Sequence, residues 1–73
     1  MANGGQMNNW QPIETAPSGI VVMTKIDDIR GDRNVQKLRR RGKLWFCVDN
    51  WTGDDVMYVY YQPTHWRPLR GGE

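Results

Sequence analysis

Apolar and polar positions along this chain alternate over short stretches, the period-two signature of strands, and nowhere hold a helical period for long. Ile20-Val-Val-Met-Thr-Lys-Ile26 is β-branched over most of its length and reads as a buried strand after the turn residues Ser18-Gly19. Val35 to Arg40 and Leu44 to Asp49 flank Arg41-Gly42-Lys43, and a glycine in a short connector between strand-like runs predicts a hairpin. In its second arm Leu44, Phe46 and Val48 share one face, and Trp45, Cys47 and Asp49 share the other. Val56 to Tyr61, aromatic and β-branched, is the fourth strand. Asp27 to Asn34, where Asp, Gly, Arg and Asn cluster, reads as a mobile loop, and Asn50 to Asp55 as a turn containing Trp51.

Short connections between four strands predict antiparallel neighbours, with a meander as the simplest order. The fold class expected is therefore mainly β: a small antiparallel sheet or open barrel of about four strands, with short or no helix. Two prolines in Trp10-Gln-Pro-Ile-Glu-Thr-Ala-Pro17, and two more in Gln62-Pro-Thr-His-Trp-Arg-Pro-Leu69, keep these end segments extended. The later one is expected to add at most a short edge. Residues 1–9 and 70–73 are polar and glycine-bearing and read as flexible tails around a single domain at 10–69. Charges on Val35 to Arg40 and the prolines near both ends are expected to discourage pairing at open sheet edges.

Size sharpens this picture. A 73-residue chain buries a smaller share of its surface than a larger domain, so its eight aromatic residues must carry much of its stability. Trp10, Ile20, Val22, Phe46, Val48 and Trp66 are the candidate core, with Trp10 and Trp66 closing the sheet together. One Cys, Cys47, and one His, His65, provide neither an internal disulfide nor a structural zinc site. Self-association is open as a further source of stability. The apolar runs, Ile20 to Met23 among them, are far too short to span a membrane, and the N-terminus has no signal-peptide pattern. A soluble, cytoplasmic protein is expected.

The paired end phrases, Trp10-Gln-Pro-Ile-Glu-Thr-Ala-Pro17 and Pro63-Thr-His-Trp-Arg-Pro-Leu69, with Gly42-Lys-Leu-Trp45 between them, resemble a small domain of unknown function encoded mainly by phages and prophages. The resemblance spans nearly the whole folded unit. Ser18-Gly19 stands where similar sequences usually have a longer turn, and Arg67 where they usually have Met. It implies a phage or prophage origin and carries over no catalytic residue. Small accessory phage proteins of this kind are often inhibitors of host machinery, anti-CRISPR-like proteins among them.

Charge supplies the main functional signal. Arg30, Arg33, Lys37, Arg39, Arg40, Arg41 and Lys43 against Asp32 give +6 between Arg30 and Lys43; the whole chain carries +2, so the remainder sums to −4. A basic hairpin tip at Arg39 to Lys43 suits an acidic protein surface or phosphate oxygens, and equally describes a solvated loop. Catalysis would require convergent partners for His65 or Cys47 that the sequence does not supply. Asp27-Asp28 and Asp54-Asp55 read as turn formers rather than metal ligands or acid–base pairs. The expected function is a non-enzymatic module that needs no cofactor. It would bind a host protein through Arg39, Arg40, Arg41 and Lys43, with Arg30, Arg33 and Lys37 adjacent and Trp51 or Tyr61 as anchor. Nucleic-acid binding by the same hairpin is the alternative.

Overall fold

A computed structural model describes residues 9–73. Almost all of the tail expected at 1–9 lies outside the described residues. The described chain is one open antiparallel sheet of six strands: β1 (Gln11–Pro12), β2 (Val21–Asp28), β3 (Gly31–Arg41), β4 (Leu44–Val48), β5 (Asp55–Tyr58) and β6 (His65–Arg67). A single 3-10 turn, Ile13–Thr15, follows β1. The mainly β, antiparallel expectation holds, with all four expected strands present and two short ones added from the proline-bounded ends. Among the described residues no helix is long and apolar enough to cross a membrane.

The strand order β1-β6-β2-β3-β4-β5 is a meander from β2 to β5 with the two ends folded back beside β2. Far from being an edge, β6 sits between β1 and β2, bonded in register to both: Trp66 is opposite Gln11 on one side and Thr24 on the other. The long basic strand β3 is central. Its charges therefore protect no edge. The edge β1 is blunted by its two-residue length and by Pro12, which has no N–H to offer.

The stretch expected as a mobile loop is instead the tight end of the β2–β3 hairpin. Asp28 pairs with Gly31, leaving only Ile29 and Arg30 in the turn. The Asp28 carboxylate accepts the Arg30 N–H at 2.9 Å, and Gly31 takes φ 100°, a backbone conformation open to glycine. Further along β3, Thr24 faces Gln36 while Ile26 faces Arg33, so β3 carries one extra residue there. Asn34, at φ 56°, absorbs this bulge.

Alternation then sorts side chains onto two faces. On the core face Val22, Leu38 and Trp45 pack with Ile13 and Ala16 from the N-terminal segment, and Cys47, Val59 and Trp66 border the cluster. Two expectations about the core give way. Ile20 precedes β2 and is 54% exposed, and the buried face of β4 belongs to Trp45, leaving Phe46 and Val48 half-buried on the opposite face. The β4 alternation was legible, but an aromatic stands on each face, and which one is covered depends on where Ile13 and Ala16 fold. Val22 is buried as expected.

Trp10 and Trp66 do not close the sheet together. Trp66 lies on the core-face side and donates its indole N–H to Thr15 Oγ1 at 2.8 Å. Trp10 lies over the other, charged face, its ring 4.6 Å from Lys25 Nζ and 5.1 Å from the Arg67 guanidinium carbon. These cations are buried, and each has an acid partner: Asp32 at 3.0 Å from Lys25, and Glu73 at 2.6 Å from Arg67. Residues 70–73 are thus tied back to the sheet by Glu73, which also accepts the Arg70 N–H.

Candidate functional site

The seven cations expected to form one basic surface are dispersed by the register. Arg30 and Arg33 stand at the β2–β3 turn, the opposite end of the eleven-residue β3 from Arg39, Arg40 and Arg41. Arg33 is held by Asp28 through two hydrogen bonds of 2.8 and 3.0 Å. The Arg33 guanidinium, helped by the Arg30 N–H, lowers the Asp28 carboxyl to about 2. At the other end alternation divides the arginine run. Arg40 turns to the core-face side, donating to the carbonyls of Ala16 and Gly42. Arg39 and Arg41 turn to the charged face and share the two oxygens of Asp55, each at 2.9 Å. Only Gly42 and Lys43 occupy the turn itself. The basic hairpin tip of the sequence reading therefore reduces to one lysine, and Arg30, Lys37 and Lys43 have no acid partner among the described residues.

Asp55, read in the sequence as a turn former, organises this part of the molecule. It enters β5 directly opposite Val48, and hydrogen bonding from Arg41, ahead of the charge of Arg39, holds its carboxyl below the usual range. The sequence allowed Asp54 and Asp55 to pair with the basic hairpin: −4 outside the basic segment must neutralise something, and β5 carries one of those charges across β4 to β3. Asp49 is a local device. It accepts the N–H groups of Trp51 and Thr52, which lower its carboxyl and fix the β4–β5 turn.

The expected anchors separate as well. Trp51 projects from that turn 94% exposed, whereas Tyr61 is half-buried and accepts a hydrogen bond from the Gln36 amide, so its hydroxyl serves the fold. A further aromatic at this edge is Tyr60, 87% exposed. Together with Val56, Met57 and Tyr58 it forms an apolar border along β5, the sheet edge opposite β1. Val59 donates its N–H to Trp45, so by antiparallel alternation the N–H and C=O of Tyr58 face away from β4, toward solvent. At this edge Cys47, Met57, Tyr58, Val59, Tyr60 and Tyr61 line an open groove of about 340 Å³.

On the charged face the rings continue. Phe46 and Tyr58 stand directly across from one another with ring centroids 6.2 Å apart, and Tyr58 and Tyr60 follow at 5.3 Å, both edge-on. Cys47 and His65 are not brought together: Cys47 borders the core on β4, and His65 lies opposite Lys25 on β6 with its Nδ1 2.7 Å from Thr64 Oγ1. Among the described residues no three His, Cys, Asp or Glu side chains gather as a metal-ligating group. The surfaces this arrangement offers are an apolar edge and a face of mixed cations and rings. No known protein family, curated protein or solved structure matches the chain.

Proposed function

We propose that this chain is a non-enzymatic interaction module that docks on a partner protein through the β5 edge and alters that partner by covering its surface. One observation carries the reading: Trp51, Val56, Met57 and Tyr60, at 94, 62, 54 and 87% exposure, run along a sheet edge that no strand among the described residues covers. An exposed edge can accept an extended segment through its outward backbone groups, and the groove beside Met57 can take that segment's side chains. Large aromatics of this type dominate interface energetics once desolvated. The resemblance to phage-encoded domains supports a host protein as the partner and inhibition as the outcome, with a defence nuclease complex as one target class.

Capture from nuclease-treated bacterial lysate, followed by titration with the purified captured protein, tests the reading. Trp51→Ala and Met57→Glu are expected to weaken that binding at least about tenfold each. Failure to recover a partner, or an affinity that neither substitution alters, rejects it.

A further inference from the structure

Beyond this edge, the charged face of β3, β4 and β5 combines two features that the sequence kept apart. Lys37, Arg39 and Arg41 recur every second residue on β3 and so share one face. Across the sheet, Arg39 is in register with Phe46, and Phe46 with Tyr58. A guanidinium and two rings thus form one row over three adjacent strands, and Tyr60 extends it. Lys43, at the β3–β4 turn, stands at the rim of this face, bordering a hollow that Trp45, Tyr58, Tyr60 and Gln62 also line. We propose that this face is a binding platform for single-stranded nucleic acid, with Tyr58 and Tyr60 stacking on bases and Lys37, Arg41 and Lys43 contacting phosphates.

Charge and donor geometry support this ligand. Lys37, Arg39, Arg41 and Lys43 against Asp55 leave the platform with +3. Arg39 is only 16% exposed and is committed to Asp55 and to the Gly53 carbonyl. Arg41 differs. Its side chain is 51% exposed and donates to Asp55 through Nε, leaving both terminal nitrogens for a phosphate oxygen. The shared carboxylate fixes the position of this guanidinium before any ligand arrives. The rings suit unpaired bases, since each base has a face to stack, whereas a duplex hides those faces between neighbouring pairs. The platform is short, sized for about two or three bases.

The platform shares Tyr60 with the docking edge but uses neither Trp51 nor Met57, and the test separates the two roles. Labelled twelve-nucleotide oligo(dT) and oligo(rU), and a duplex of equal length, are titrated by fluorescence anisotropy at 50 and 200 mM salt. Single strands are expected to bind more tightly than the duplex. Three phosphate contacts predict an affinity loss of about twentyfold between the two salt concentrations. Tyr60→Ala is expected to weaken binding about tenfold and Tyr60→Phe to restore it; Lys37→Glu with Arg41→Glu is expected to abolish it. Ile29→Ser, at the exposed β2–β3 turn and the opposite end of β3 from Arg41, should leave it within about twofold. Circular dichroism confirms that each variant is folded. Absence of binding by the folded protein at 50 mM salt overturns the platform. Equal duplex affinity does so too, as does binding that polyglutamate displaces and Tyr60→Ala leaves unchanged, the behaviour of a general acidic-polymer site.

Discussion

Replacing Trp45 by alanine removes a ring that is 3% exposed and packed among Ile13, Val22 and Leu38. It is expected to cost about 3–5 kcal/mol, comparable to the whole stability of a domain this small. Phe46→Ala, one residue along and on the opposite face, should cost less than half as much, and urea unfolding of the two variants checks the contrast. Residue type could not have made this distinction. Both residues are large aromatics in a strand of clear alternation, and the sequence shows two faces without showing which is covered. The answer comes from Ile13 and Ala16, which fold onto the Trp45 side from more than twenty residues away. Ile20 shows a related effect: it is as apolar as the residues that follow it, but it precedes the strand and has no layer above it. The arginine run is a third case. Alternation alone would have divided Arg39 and Arg41 from Arg40, so that part of the candidate site was legible, whereas which of the acids holds Arg39 and Arg41 is set by the register of β5 on β4, which no local pattern shows.

At the level of elements, the four expected strands are present because β-branched and aromatic content with period two is a strong local signal. The Asp27 to Asn34 reading failed for a chemical reason. Asp, Gly and Asn are the residues of a mobile loop and also those of a tight turn followed by a bulge, and only pairing across the hairpin distinguishes the two. Gly31 is the position where this matters most. Its φ of 100° disfavours any side chain although the space around it is open. Gly31→Ala is expected to destabilise the domain by about 1–3 kcal/mol through backbone strain alone, measurable as a shift in the urea midpoint at unchanged slope. The end segments were legible as extended but not as paired, because strands of two and three residues carry too little pattern to announce a partner.

For the molecule as a whole, the balance of charge is internal before it is external. Asp28 and Glu73 titrate at about 2 in the folded protein, held there chiefly by Arg33 and Arg67, against 3.8 and 4.5 for the same groups unperturbed. Asp32, held chiefly by Lys25, Asp49 and Asp55 are lowered in the same direction. Since the folded values lie below the unfolded ones, these carboxylates stabilise the fold fully above about pH 4.5, and their contribution is lost as pH falls from there toward 2. Thermal melts at pH 7, 4.5 and 2.5 should show little change over the first interval and a clear drop over the second. A flat profile would mean that the ion pairs are inert.

The placement of β6 bears on how such a chain is made. Its partners are at the far end: the Ile13 N–H reaches the Thr64 carbonyl, and the Trp66 indole reaches Thr15, both across 51 positions. During synthesis the β2 to β5 meander can form as it leaves the ribosome, but β1 has nowhere to dock until His65 to Arg67 have emerged. A nascent chain stalled before that point would present the bare flank of β2, with β1 waiting on β6.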